Sequence, residues 1–449
     1  MKLSVREKAS YGVGAIGKDM VYSLVSTFIL IYYKSVLGVS GVFIGTLFMF
    51  ARVFDAVNDP FMGIIVEKTK TKYGKFRPWI FIGTILNAMI LYGMFAVPES
   101  ITGNALKVYI SVAYILWGMT YTVMDIPFWS MIPAISSPGK DRENITVIAR
   151  SCAGFGYAIP TALTMLFIEK VMNNDMRVGF RIFTAIVAVF FVIAETITVL
   201  NVKEKARDTV KQKSTTIKDM LSALMHNDQA LIVVVAIIIF NGSLYLTNQL
   251  GVYFFKYDIG NGSLFGLFGT IGGVAQILAM LALPVLRKKY ECKKILTGAI
   301  ITTLVGYGIL LLFGMLQIKN AVLLCGAAII IFIGFGLATV LTTIFLADTV
   351  DYGEWKNNQR NESVIFSLQT FVVKLASAVS GFVAGVGLDL IKFDEDLLVQ
   401  TNSTLYGLRF LMIVIPMIGL ICSIIFFTRK YKLNESMLSR ITHELKERE

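Results

Sequence analysis

The stretch Gly41-Val-Phe-Ile-Gly-Thr-Leu-Phe-Met-Phe-Ala-Arg52-Val-Phe-Asp55-Ala-Val-Asn58-Asp59-Pro60-Phe-Met-Gly-Ile-Ile-Val66 decides the fold. It is long enough to cross a bilayer as a helix and is apolar nearly throughout, yet it carries two carboxylates. Two further aspartates, Asp19 and Asp125, stand in comparable surroundings. A carboxylate near the bilayer centre costs about 2.5–3.5 kcal/mol on insertion scales, so four unrelieved ones oppose insertion by on the order of 10 kcal/mol. Acids retained against that cost point to the passage of an ion or a solute.

Apolar runs of this length recur along the whole chain. Of its 449 residues 55% are hydrophobic and 16% charged, with a mean hydropathy of +0.69. Soluble domains carry about 25% charged residues. Twelve spans are predicted, near 10–33, 41–66, 79–97, 108–134, 146–169, 179–201, 229–255, 262–285, 295–314, 321–346, 364–391 and 406–428. The reading is an all-α polytopic membrane protein. The first run lacks the short apolar core and small-residue cleavage site of a signal peptide, so it is read as retained.

A net charge of +12 raises the question of nucleic acid, but the distribution of charge answers it. With the N-terminus cytoplasmic, the inner loops and both termini hold 29 of the 42 Lys and Arg, and the outer loops and their flanks hold nine. This is a positive-inside asymmetry, and it places the chain in the cell membrane with both termini inside. The four cysteines are scattered, and the two histidines, His226 and His443, lie outside the spans. Neither a disulfide framework nor a histidine metal site is expected.

The main break in composition is 202–228, with six spans before and six after. The expected organisation is an N-terminal six-helix bundle (1–201), a cytoplasmic linker (202–228), a C-terminal six-helix bundle (229–428) and a cytoplasmic tail (429–449) that is a helix or a loose end. Duplicated halves are a transporter signature. The basic loop Lys68–Arg77 follows span 2, and Arg287–Lys294 follows span 8 at the corresponding place. Both also fit the positive-inside pattern alone. Gly266, Gly269, Gly272 and Gly273 are read as sites of close helix packing.

Asp55 and Asp59 are four residues apart, so they share a helix face about 6 Å apart along the axis, with Asn58 at its border. Like charges so placed repel unless a cation or proton relieves them. Carboxylate, amide and hydroxyl oxygens together suit a hard cation such as sodium. In Tyr121-Thr122-Val-Met-Asp125-Ile-Pro127-Phe128-Trp129, the residues Thr122, Asp125 and Trp129 share a face. A carboxylate beside an indole can read a sugar, the acid accepting from hydroxyls and the ring covering a C–H face. Lys18, Arg52, Arg150 and Lys374 balance the four aspartates. Such a neutral network is sensitive to the arrival of one cation, and that is the expected basis of coupling.

These motifs resemble those of the glycoside–pentoside–hexuronide:cation symporters, of the melibiose-permease type. The matching stretches are Tyr11–Asp19, Ala51–Pro60, Tyr73–Trp79, Thr122–Trp129, Ala347–Glu354 and Gln369–Lys374, which cover nearly the whole chain. The resemblance implies a major-facilitator-type fold with alternating access. It implies a cation site from Asp55, Asn58, Asp59 and Thr122. It also implies a sugar site from Lys18, Asp19, Asp125, Trp129 and Arg150, with Gln369, Thr370 and Lys374 from the second half, and a cytoplasmic gate from the Tyr73–Trp79 and Asp348–Glu354 loops. One departure concerns Phe335–Thr343, which has no counterpart of a tryptophan carried by melibiose-type members, so a galactoside preference does not follow. A phosphotransferase-like C-terminal domain, present in some relatives, is expected to be absent.

The functional expectation is cation-coupled symport of a sugar or glycoside, with no cofactor, the coupling cation being Na+ or H+. Asn58 and Thr122 add neutral oxygens, which favours sodium. The alternatives are a lysolipid symporter of the same fold and a non-transporting sugar sensor. An intramembrane enzyme is disfavoured, since no histidine lies in a span and no loop is long enough for a catalytic face. The expected partners are the sugar and the lipid bilayer, without nucleic acid or an obligate protein partner.

Overall fold

The computed structural model describes residues 3–173, 175–204, 225–358, 360–394, 397 and 399–448. The described residues contain helices and no strands. Among the described residues twelve long helices succeed one another. They are α1 (Val5–Ile31), α2 (Gly41–Lys68), α3 (Arg77–Phe95), α4 (Gly103–Ile135), α5 (Lys140–Val171) and α6 (Met176–Asn201), then α7 (Asp228–Tyr253), α8 (Ser263–Leu286), α9 (Cys292–Met315), α10 (Ala321–Asn357), α11 (Glu362–Leu390) and α12 (Asn402–Lys430). A shorter helix, α13 (Glu435–Arg448), follows. Among the described residues eleven helices are long and apolar enough to cross a membrane. Within α2, which is 28 residues long, the stretch Phe43–Arg52 is apolar. Most of the expected linker, 205–224, lies outside the described residues.

The chain forms two compact units. Met1–Ser222 and Gln359–Phe371 belong to the first, Ala223–Asn358 and Val372–Arg448 to the second. In the first unit α1 packs against α5 and α6, α3 against α4 and α6, and α2 against α4. In the second, α10 packs against α8 and α9, and α7 against α10 and α12. Local sequence sets the helix starts. Ser4 and Glu7 form a reciprocal capping box on α1, and Asp175, Asn227 and Asn320 accept first-turn amides of α6, α7 and α10.

A sequence repeat becomes visible at the ends of α1 and α7. Tyr32-Tyr-Lys-Ser-Val-Leu-Gly38 and Phe254-Phe-Lys-Tyr-Asp-Ile-Gly260 both follow the pattern aromatic–aromatic–Lys–x–x–aliphatic–Gly. Both form a single π-helical turn, Tyr32–Val36 and Phe254–Asp258, and both end at a left-handed glycine, with φ of +69° and +81°. The paired rings are fully buried in each case. This match supports duplication better than the basic loops do, because charge asymmetry does not explain it.

Asp348–Glu354 is not a loop. It is the last part of α10, which runs eleven residues past the predicted end of span 10. Polar side chains hold that extension: the Tyr352 hydroxyl donates to Asp228 at 3.0 Å, Lys356 pairs with Asp228 at 2.5 Å, and the Trp355 indole donates to Glu444 of α13 at 2.5 Å. Hydropathy alone ends the helix where lipid contact ends, whereas these bonds continue it. Of the four glycines in α8, Gly272 makes a close approach, with the Phe332 ring 2.4 Å from where a Cβ would stand. Gly266, Gly269 and Gly273 face open space.

Candidate functional site

The site of the first unit is organised along α4. Gly118 and Thr122, one turn apart, face Asp55 and Asp59 of α2, also one turn apart. A Cβ on Gly118 would stand 3.1 Å from Asp55 Oδ1, and Thr122 Oγ1 donates to Asp59 Oδ1 at 2.9 Å. The two helices therefore meet in register, small residue against acid and hydroxyl against acid. Asp59 and Thr122 are shut off from solvent, at 0% and 1% exposure, while Asp55 and Asn58 are half-buried. The Asn58 side-chain nitrogen is buried with no hydrogen-bond partner among the described residues. Two carboxylates, a hydroxyl and an amide are ligand types that suit a hard monovalent cation.

Asp125 lies three residues beyond Thr122, on the side of α4 that meets α1. Its Oδ1 takes Lys18 Nζ at 2.7 Å and Trp129 Nε1 at 3.1 Å. Lys18 also pairs with Asp19 at 3.0 Å and lies 3.5 Å from the Tyr121 hydroxyl. The ammonium is buried, so these oxygens replace its lost hydration. The Arg150 guanidinium of α5 stacks 3.8 Å from the centre of the Trp129 ring. The indole is only 7% exposed, so a sugar stacking on the face held by Arg150 would have to displace it. Lys18, Asp19, Asp125, Trp129 and Arg150 therefore lie together in one cluster of the first unit.

Gln369 and Thr370 of α11 belong to the first unit and Lys374 to the second. Gln369 is buried, and Thr370 donates to the Phe366 carbonyl at 3.2 Å.

Three features escape the sequence reading. The first is Glu195 of α6, fully buried, with neither carboxylate oxygen hydrogen-bonded to a described residue. Its Oε2 lies 3.1 Å from where a Cβ on Gly14 would stand, one turn before Lys18. The balance of four acids and four bases is therefore incomplete; the acid at position 195, inside span 6, was the available signal. The second is an aromatic wall around Tyr22, whose ring centre lies 5.6 Å from Tyr121, 6.4 Å from Trp117 and 6.5 Å from Tyr157. Tyr22 is one turn past Lys18, and Tyr121 one turn before Asp125, a spacing the sequence does contain. The third is an ion-pair cluster at the Tyr73–Trp79 loop. Lys75 pairs with Glu67 and, at 3.1 Å, with Glu362, while Arg360 pairs with Glu362 at 2.5 Å. Burial pulls the Lys75 ammonium toward lower pKa, but the Glu67 and Glu362 carboxylates outweigh it and hold it above the ordinary lysine value. Glu204 closes the same loop by accepting the amides of Lys75, Phe76 and Arg77 at 2.6, 2.8 and 3.0 Å.

Comparison with known proteins gives the family and the fold. The family model described as MFS/sugar transport protein matches residues 10–435. The uncharacterized symporter YjmB of Bacillus subtilis (strain 168) is 30% identical over 453 residues, covering 99% of this chain and 96% of its own. The isoprimeverose transporter of Lactiplantibacillus pentosus is 30% identical over 382 residues, covering 85% of this chain and 79% of its own. Among solved structures, the major facilitator superfamily proton:xylose symporter XylE superposes with a TM-score of 0.66 at 12% identity, over 97% of this chain and 98% of that one, which shows a shared fold. The chain belongs to the MFS/sugar transport protein family, the glycoside–pentoside–hexuronide type of symporter.

Proposed function

We propose that the chain couples inward movement of a monovalent cation, sodium rather than the proton, to that of a sugar or glycoside across the cell membrane, with both termini cytoplasmic. The cation is the cargo of Asp55, Asn58, Asp59 and Thr122. The sugar engages Lys18, Asp19, Asp125, Trp129 and Arg150, and Gln369, Thr370 and Lys374 are the further residues assigned to it. One observation carries the reading: Thr122 on Asp59 and Asp125 on Lys18 lie three residues apart along α4. A cation that draws Asp59 and Thr122 together moves the backbone segment carrying Asp125. Sodium is favoured because amide and hydroxyl oxygens add ligands that a proton does not need. The buried charges speak against an amphiphile as cargo, since an acyl chain gains nothing beside Lys18 and Asp125. The name of the isoprimeverose transporter suggests isoprimeverose as the first probe.

The test is uptake into proteoliposomes of the purified chain, offered isoprimeverose, xylose, lactose and a hexuronide under an imposed sodium or proton gradient. Accumulation of one of them above equilibrium under a sodium gradient supports the proposal. Accumulation under a proton gradient alone overturns the choice of cation. Equilibration without accumulation under either gradient overturns coupling.

A further inference from the structure

The second unit carries a groove that plays no part in the site above. It runs between α8 and α10 and encloses about 530 Å3, within the roughly 300–1,000 Å3 range of ligand pockets. Val274, Leu278, Ala282 and Leu286 of α8 line it with Ile329 and Ile333 of α10. Its one hydroxyl, on Thr270, is already engaged with the Gly266 carbonyl at 2.9 Å. The seam behind it is tight: a Cβ on Gly336 would stand 2.4 Å from the Gln276 carbonyl oxygen, so the two backbones nearly touch. Beyond that contact α8 turns its open side outward, with Val274 and Leu278 56% and 61% exposed. An apolar trough on a membrane helix pair has no use for water.

The end of the trough is cationic. Leu286 is its last α8 residue, and Arg287-Lys-Lys-Tyr-Glu-Cys-Lys-Lys294 follows directly. Arg287 is committed to Glu435 at 2.8 Å, and Lys293 to the Tyr431 carbonyl at 3.1 Å. Lys288, Lys289 and Lys294 remain exposed there. From Thr270 to Leu286 the trough follows α8 for about 24 Å at 1.5 Å per residue, more than the depth of about 15 Å in one leaflet. Basic clusters at the ends of grooves between membrane helices hold anionic head groups.

We infer that the α8–α10 groove is a binding site for one anionic phospholipid, its acyl chain lying along Val274, Leu278 and Ala282 and its phosphate held by Lys288, Lys289 and Lys294. The occupant is a lipid rather than a second copy of this chain, because a narrow trough ending in three exposed ammonium groups is complementary to a single chain with a negative head. This site lies apart from the residues proposed to carry sugar and cation, and its test does not depend on transport.

The full chain, purified in detergent, is equilibrated with equal amounts of phosphatidylglycerol and phosphatidylcholine of matched acyl chains, and bound lipid is read by native mass spectrometry. The expected result is at least a fivefold preference for phosphatidylglycerol in the wild type. Lys288→Gln, Lys289→Gln and Lys294→Gln together bring that preference to near unity. Ala282→Phe, at an exposed position where added bulk faces the bilayer, lowers the occupancy of both lipids while the melting temperature stays unchanged. Equal retention of both lipids by the wild type overturns the proposal. So does a preference that survives the triple variant, undiminished occupancy in Ala282→Phe, or a lipid-free dimer that Ala282→Phe dissociates.

Discussion

The Thr122 hydroxyl reaches Asp59 at 2.9 Å across the α2–α4 contact, and both groups are closed to solvent. Three residues further along α4, Asp125 holds Lys18 at 2.7 Å. A change in the charge on Asp59 is thus delivered to a helix whose next turn carries the other cluster. One turn away Gly118 leaves room for Asp55, since a Cβ there would stand 3.1 Å from its Oδ1.

Thr122→Val removes the hydroxyl while keeping the shape. A buried carboxylate that loses a donor costs about 1–3 kcal/mol. Cation affinity is expected to fall about tenfold, since about 1.4 kcal/mol corresponds to a factor of ten. Thr122→Ser restores it. The measurement is the cation concentration giving half-maximal sugar uptake in proteoliposomes. An unchanged value in Thr122→Val removes this hydroxyl from the cation site.

Asp59→Cys goes further and removes one of the two carboxylates. Accumulation driven by a cation gradient should disappear, while exchange of labelled for unlabelled sugar persists, because Lys18, Asp125 and Trp129 are untouched. If Asp59→Cys and Asp55→Cys both still accumulate sugar, the proposed coupling site is wrong.

Lys18→Gln leaves Asp125 buried and Asp19 half-buried without their common cation. Breaking one side of a buried pair costs about 3–5 kcal/mol. A lower thermal midpoint in detergent is expected, and most of it should return in Lys18→Gln/Asp125→Asn, where the only charge left of the three is that of the half-buried Asp19. Sugar binding should be lost in both. If the double variant is no more stable than the single one, the pair is not what stabilises this region.

The sequence makes the membrane fold legible because hydropathy, loop charge and span length are independent signals that agree. The first-unit site is legible for the same kind of reason: Asp55 with Asp59, and Thr122 with Asp125 and Trp129, are spaced by one helical turn, and that spacing survives folding. Partners brought together from different helices are not. Nothing in the local sequence says that Gly118 lies against Asp55, that Arg150 covers the Trp129 ring, or that Glu204 caps the turn before α3. The end of α10 is misread because its last turns are polar, and tertiary hydrogen bonds rather than lipid sustain them.

Glu204→Ala tests one such distant contact. Three consecutive amides, of Lys75, Phe76 and Arg77, lose a charged acceptor at a helix N-terminus. Loss of a single cap costs about 0.5–2 kcal/mol, and charged acceptors lie at the upper end. Hydrogen exchange at these three amides should speed up by about tenfold or more, with little change at the centre of α3. Protection equal to the wild type would mean that the loop is held by the Lys75 ion pairs alone.

Glu195 invites the opposite prediction, a gain. Its carboxyl group is enclosed by α1, α4 and α6, with Thr198 and Phe128 beside it around Gly14, and it receives no hydrogen bond from a described residue. Such a group costs about 1–3 kcal/mol relative to an apolar one of similar size. Glu195→Leu should therefore raise the thermal midpoint by a few degrees, and Glu195→Gln, which keeps polar atoms in the same enclosure, should not. Sugar uptake separates two reasons for keeping the acid. If Glu195→Leu is more stable and transports as well as the wild type, the acid is a residue of history. If it is more stable but slower, the strain is part of the cycle, and Lys18, one turn from Gly14, is the cation within reach of it. A less stable Glu195→Leu would mean that the fold uses this carboxyl group, and the reading of it as unsatisfied would fail.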